Sequence, residues 1–257
     1  MTAFSEWIFF AKNVISINFD KKIFSVIKAV PENVRSNVVA IPLQQTPQYY
    51  TTEILANHGK HLTLMVDTGD NSSISLNSDA WQEVFGNDKT NVIVVSVADV
   101  ADQISQSKVG VIGHLSIGNL NYTNLHATLI LNPTNPSHLG LGFFRRHNAI
   151  FDFANRMLYV EPSQNFSTPD KEDMSGLHLL RDGQTTIVYS VDEKSPAFDQ
   201  GIKPKDIVEV VNDQNTSSMT MRTIRRMLKS NNGDKVTLQV RRGGSVLNVT
   251  FALKKAI

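Results

Sequence analysis

At 257 residues, with 41% hydrophobic and 19% charged side chains, the chain holds enough apolar material for one or two packed domains and is not a disordered tail. Its 25 Lys and Arg against 24 Asp and Glu leave a formal charge of +1, so no electrostatic footprint points to nucleic acid or to an anionic membrane. Cysteine is absent, which excludes disulfides, thiolate catalysis and Cys-based zinc sites but does not fix a compartment.

In chain order, Trp7-Ile8-Phe9-Phe10 is too short to span a bilayer, and neither a basic leader nor a small-residue cleavage site surrounds it. No membrane span or signal peptide is expected from it. Strands are predicted at Val38–Leu43 and Tyr50–Leu55, and a hairpin turn at Asn57–Lys60. The strand Leu62–Val66 then delivers Asp67-Thr68-Gly69, an acid on a tight loop where glycine permits close backbone approach. Taken alone, the tripeptide also reads as a turn in which Asp67 caps its own backbone. Ser72–Leu76 alternates as a strand, and Asn77-Ser78-Asp79 is a helix start before Ala80–Phe85. Further strands are predicted at Val92–Val97, Lys108–Ile117 and Leu125–Leu131. Leu139-Gly140-Leu141-Gly142-Phe143-Phe144-Arg145-Arg146 follows, then Ala149–Phe153 and Met157–Pro162. Many short strands separated by turn signals describe a closed or sandwiched all-β lobe.

The seven histidines include no His-Glu-x-x-His and no ligand-like pairing with carboxylates, so no metal and no cofactor is predicted. There is no phosphate loop and no Gly-x-Ser-x-Gly elbow, which sets aside kinase and serine-hydrolase chemistry. Arg225, Arg226, Lys229, Arg241 and Arg242 read as a solvated basic face.

Taken together, Val66-Asp67-Thr68-Gly69 and the Leu139–Arg146 and Ala149–Pro162 stretches resemble one lobe of a retropepsin-like aspartic protease, over residues 38–162. The resemblance implies a mainly β fold, a closed barrel with short helices. It implies Asp67 as the catalytic acid/base, Thr68 as a brace between two catalytic loops, and Gly69 as the residue allowing close approach. It further implies a second aspartate, from another lobe or a homodimer, and peptide-bond hydrolysis by a water activated between the two carboxylates. Three features depart from the family pattern. Asp70 stands where a small residue is usual, and His138 where an aliphatic one is. The expected substrate flap, Ala98–Ser107, has no glycine.

An internal repeat is also present. A displacement of 134 positions lays Phe143-Phe144 on Phe9-Phe10, Arg146 on Lys12, Phe151-Asp152-Phe153 on Ile17-Asn18-Phe19, Arg156 on Lys22, Met157-Leu158 on Ile23-Phe24 and Val160 on Val26. Residues 1–37 therefore read as the remnant of a preceding lobe, whose own aspartate would fall before Met1. The alternative is an unrelated helix-strand unit.

Residues 163–173 are polar, proline-bearing and aperiodic, as expected of a linker. Beyond them come the strand Thr186–Val191, Ser195-Pro196-Ala197, Gly201-Ile202-Lys203-Pro204 and Asp206-Ile207. A helix with apolar spacing at Met221, Ile224 and Leu228 follows, then strands Val236–Arg241 and Val246–Leu253 about a Gly243-Gly244 turn. This stretch resembles a bacterial-type PDZ domain over residues 174–257, with Lys205 where glycine is usual. The resemblance implies that backbone N–H groups of Ser175, Gly176, Leu177, His178 and Leu179 receive a peptide C-terminus, beside a groove formed with the helix that carries Ile224 and Leu228.

The expected function is an aspartic endopeptidase with PDZ docking of polypeptide substrates. The alternatives are a catalytically incomplete lobe whose PDZ domain does the binding, and a scaffold in which Asp67 only caps a turn. The family resemblance points to an exported or cell-envelope protein, a compartment the chain itself leaves open.

Overall fold

Period-two alternation of apolar residues makes the chain mainly β. The computed structural model describes residues 13–32, 38–87, 91–98, 104–170 and 173–255. Its contacts divide into two compact units, one drawn from residues up to 90 and from 110–170, the other from 91–109 and from 171 onward.

A barrel is built mainly from the first unit. Strands β1 (Val14–Asn18), β2 (Ile23–Ile27) and β3 (Val39–Pro42) precede it, and β4 (Gln44–Gln45) lies at its edge. Strand β5 (Tyr50–Ala56) turns through Asn57–Gly59 into β6 (Lys60–Asp67), as the sequence predicts. Next come β7 (Ile74–Leu76), helix α1 (Ser78–Phe85), β8 (Val92–Ala98), β9 (Ile104–Ile117), β10 (Leu120–Leu129), β11 (His138–Gly140) and α2 (Leu141–Phe144). The order β5-β6-β11-β7-β10-β9 closes on itself through the pair Leu55 and Ser116, giving a ring of six strands. Leu64, Ile74, Leu76, Ile112, Leu115, Leu125 and Leu139 are buried on these strands, and Phe143 and Phe144 on α2. Asn77 caps α1 by accepting the Ala80 N–H at 2.9 Å, so the predicted start signal operates as read.

Two strands extend further than the alternation indicated. β9 begins at Ile104 rather than Lys108, and β10 at Leu120 rather than Leu125. In β10 the polar Asn121, Thr123 and Asn124 face outward around a buried Tyr122, which makes a paired strand resemble a loop. The expected flap lies largely outside the described residues, at 99–103, as do Trp7–Phe10.

A second sheet of order β2-β1-β12-β13-β3 uses β12 (His147–Asp152) and β13 (Met157–Pro162). Its two hairpins are built alike. The 134-residue displacement carries the β1–β2 pair Ser16 and Ser25 onto the β12–β13 pair Ile150 and Tyr159. Each turn has its left-handed residue at the matching place, Lys22 and Arg156. Each is also held by the same side-chain bond, with Asn18 accepting the Lys21 N–H and Asp152 accepting the Asn155 N–H.

Residues 163–170, expected as a linker, are instead bound to the barrel. Arg146, only 6% exposed, donates to the carbonyls of Phe166 and Thr168 and to Asp170, while the Phe166 ring packs on Tyr122 and His147. Polarity made this stretch look free; a buried arginine holds it down.

The C-terminal sheet has the order β14-β15-β16-β18-β19, from β14 (Leu177–Asp182), β15 (Thr185–Val191), β16 (Ile207–Val211), β18 (Lys235–Arg242) and β19 (Ser245–Ala252), with β17 (Gln214–Asn215) paired to β16. Helices α3 (Pro196–Asp199) and α4 (Met221–Met227) cover it. Their core unites Leu177, Leu179, Val188, Val208, Ile224, Leu228, Val240 and Phe251. Buried Asp206 accepts two bonds of 2.7 Å from Arg242 and a third from the Lys203 N–H. Lys205, at the position where glycine was expected, takes the left-handed conformation with φ of 73°.

Candidate functional site

The site is built where β6 runs out. Asp67 is its last residue, and the following loop returns to the barrel as β7. Strand β11 threads between these two arms, parallel to β6 through Leu139 and Val66 and antiparallel to β7 through Leu139 and Ile74. It grips the loop along its length. Gly140 N–H donates to Ser73 O at 3.0 Å, Leu141 N–H to Asp70 O at 2.6 Å, and Gly142 N–H to Ser72 O at 2.9 Å. No side chain fits in that contact, because a Cβ on Gly140 would lie 2.2 Å from Ser72 O and one on Gly142 2.7 Å from Ser73 N. The apolar-Gly-apolar-Gly step noted in the sequence is thus a steric requirement of this clamp.

On the clamped loop Asp67 accepts the Gly69 N–H on Oδ1 at 2.8 Å, and a Cβ on Gly69 would stand 3.1 Å from that oxygen. The other oxygen, Oδ2, lies 3.7 Å from His138 Nδ1. The carboxylate remains 31% exposed, and Thr68 and Gly69 are exposed beside it. Asp67, Thr68 and Gly69 are therefore presented outward together.

Asp70, three residues on, is held quite differently. Its Oδ1 accepts the Ser72 N–H at 2.9 Å and its Oδ2 the Ser75 hydroxyl at 2.6 Å, with His138 Nδ1 at 3.5 Å. Burial pushes this carboxyl up, but the bonds from His138, Ser75 and Ser72 outweigh it and hold it down at about 2. Two of the departures from the family pattern, Asp70 and His138, meet each other. Sequence reasoning placed neither in the site, although both stood out as the wrong residue types for their positions.

Behind the loop lies a second polar layer. Ser73 Oγ donates to Asp170 Oδ1 at 2.7 Å, and Asp170 also accepts the His126 N–H and the Arg146 guanidinium. His147, fully buried, bridges Tyr122 Oη at 2.8 Å and the Phe143 carbonyl at 3.0 Å. Burial pushes the His147 ring down to about 4, so it stays neutral at moderately acid pH. Asp170 carried no motif, and only the fold brings it here.

In the C-terminal unit, the residues expected to bind a peptide end are brought together in part. Leu177, His178 and Leu179 lie on β14, at the edge of the sheet. Ile224 and Leu228 do not line a groove: both are 0% exposed, because the apolar stripe of α4 faces inward. Nor are the amides of Ser175, Gly176 and Leu177 free. Asp173 Oδ1 accepts the N–H groups of Ser175 and Gly176 and the Ser175 hydroxyl, at 2.7–2.9 Å, while the Leu177 N–H donates to Ser175 Oγ. Burial pushes the Asp173 carboxyl up. Gly176 turns this loop with φ of 74°, and a Cβ there would lie 2.1 Å from that of Ser195. His178 Nε2 sits 2.9 Å from Asp192 Oδ2, and Arg225 Nη2 donates to Leu179 O at 3.3 Å.

The PDZ domain family model matches residues 158–253, a span that begins inside β13 and includes the edge strand and α4. The C-terminal sheet with its helices is a PDZ domain. The chain is also 31% identical over 80 residues to a probable CtpA-like serine protease of Staphylococcus saprophyticus, covering 31% of this chain and 16% of that protein. Among solved structures it is similar to a retropepsin-like aspartic protease from Rickettsia conorii, at 19% identity and a TM-score of 0.39 over 48% of this chain and 89% of that one. It is also similar to the PDZ domain of a carboxy-terminal protease from Vibrio cholerae, solved in complex with peptide, at 19% identity and a TM-score of 0.28 over 31% of this chain and 90% of that one. Among the described residues no helix is long and apolar enough to cross a membrane.

Proposed function

We propose that the chain is part of an aspartic endopeptidase in which Asp67 is one of two catalytic carboxylates. One observation carries this reading. Asp67 is a partly exposed acid at the tip of a loop whose backbone is clamped by β11, with Thr68 and Gly69 exposed beside it to meet a second loop of the same kind. The second aspartate comes from another lobe or from a second copy. Two carboxylates a few ångströms apart cannot both ionise, so they share a proton; the charged one takes a proton from water while the other polarises the peptide carbonyl. Asp70, held at about 2 and so ionised from pH 3 to 7, would repel the charge on such a pair. His138 lies between them, and in its protonated form it offsets that charge.

The PDZ domain docks the polypeptide. Strand β14 is the sheet edge to which a peptide adds as an extra strand, and the ligand carboxylate takes over the amides that Asp173 now fills. A free C-terminus should therefore bind and its amide should not.

The test is cleavage of a quenched peptide library between about pH 3 and 7, wild type beside Asp67→Asn, over a range of protein concentrations. Acid cleavage that disappears in the variant supports the reading. Equal inertness of both, with a peptide still held at β14, favours the alternative of an incomplete lobe that works as a binding protein.

A further inference from the structure

The cations that the sequence groups into one basic face meet different partners in the fold. Arg241 is paired with Glu209 and Arg242 with Asp206, so both brace the C-terminal sheet. Lys229, just past the end of α4, favours the charged form of the Asp173 carboxyl. Arg225 is placed otherwise. It is exposed on α4, and among the described residues it pairs with no carboxylate. Its Nη2 instead donates to Leu179 O, a backbone carbonyl of β14, at 3.3 Å. Arg226 beside it is exposed and also lacks a carboxylate. Both cations lie in the last turn of α4, where the helix dipole favours them. The dipole would keep a side chain near its own helix end and does not explain why Arg225 reaches across to a strand.

The strand it reaches is the open one. β14 ends its sheet and pairs with β15 on one side alone, so its outer backbone groups are those a docked strand would use. The chain's own side chains hold that edge at two points. The Asp173 carboxylate fills amides at one end, and the Arg225 guanidinium takes a carbonyl further along. A docked peptide end has to replace both. Its terminal carboxylate takes the amides, within reach of the Lys229 charge. Its backbone N–H competes for Leu179 O, and Arg225 is then left facing the ligand with no oxygen partner, which disfavours a neutral ligand. A carboxylate on the ligand restores one, and matches the fork of donors that a guanidinium presents.

Resting on the docking reading above, we infer that Arg225 is a specificity-determining residue of the PDZ domain, and that its ligand is a polypeptide end carrying an acidic side chain near the terminal carboxylate. The strand rise sets the spacing. At about 3.3 Å per residue, Leu179 lies roughly two residues beyond the loop that receives the carboxylate, which places the acid about two residues before the ligand's end.

The test titrates the full chain, by fluorescence anisotropy, with short free-carboxyl peptides that differ only at that position, carrying Asp, Asn or Lys, and with the amidated form of the Asp peptide. Expected is binding of the Asp peptide about fivefold tighter than the Asn peptide at low salt, with Lys weakest. Arg225→Gln should abolish the difference, Arg225→Glu should reverse it in favour of Lys, and Arg226→Gln should leave it intact. Equal affinity of the wild type for Asp and Asn peptides overturns the inference while docking of a free C-terminus stands. A preference lost equally in Arg225→Gln and Arg226→Gln would mean a diffuse basic face, and overturns the role of Arg225. A preference for Asp that survives amidation of the peptide keeps that role and overturns the reading of carboxylate docking. Failure of every peptide to bind overturns both.

Discussion

The barrel and the PDZ domain each gather a carboxylate and backbone N–H groups in a tight loop next to a strand, and they use them in opposite ways. In the barrel the loop from Asp67 to Ser73 is held from outside by β11, so Asp67 needs only one backbone bond and keeps an oxygen facing outward. In the PDZ domain the loop from Asp173 to Leu177 is also held from outside, by the Ala197 and Asp192 N–H groups on the Ser175 and Gly176 carbonyls, but its own amides are filled from within, by Asp173 itself. An acid freed from structural duty can do chemistry. An acid that organises its own loop is a structural element until something displaces it.

The largest effect expected is that of Asp67→Asn, which should lower acid peptide cleavage by at least about a hundredfold while leaving thermal unfolding unchanged. A drop in melting temperature like that expected for Asp173→Ser would put Asp67 in the same structural role and erase the contrast. Gly140→Ala tests the clamp directly: driving a Cβ into Ser72 O should cost about 2–3 kcal/mol in urea unfolding, whereas Gly244→Ala, with open space around it, should stay within about 0.5 kcal/mol.

Asp70→Asn should remove about 2 kcal/mol at pH 5 to 7. The sign follows from a folded value of about 2, below the ordinary carboxylate range: the contribution is full above the unfolded value and is lost as pH falls through 2. Urea midpoints of wild type and variant should therefore converge near pH 2. Asp173→Ser should cost about 1–2 kcal/mol through the lost loop bonds, and should tighten binding of peptides with a free C-terminus, measured by fluorescence anisotropy. If binding does not tighten, Asp173 and the ligand do not compete. Lys205→Gly should be the mildest change, raising stability by about 1 kcal/mol as left-handed strain is relieved.

Much of the site was legible because its steric demands are written in residue types. Asp67, Thr68 and Gly69 on a strand end, and the alternation of Gly140 and Gly142 with large apolar residues, each allow few conformations. Asp70 and His138 were visible only as misfits, since their meaning lies in facing each other across strands 68 positions apart in sequence. Ile224 and Leu228 show the opposite failure. Helical spacing marks an apolar stripe correctly but does not say whether it lines a groove or fills a core.

What the sequence determined by itself was the local: strand periods, the cap of α1, turns, the displaced repeat, and an acid at the end of a strand as a candidate. Tertiary structure alone decided what those pieces meet. It placed β11 between the arms of the Asp67 loop, drew residues 163–170 onto Arg146, filled the PDZ amides with Asp173 and turned Arg225 onto the β14 edge. The physical reason is one of range. Propensity and periodicity act over a few residues, whereas burial, close backbone approach and charge pairing depend on chain segments that come together only when the sheets close.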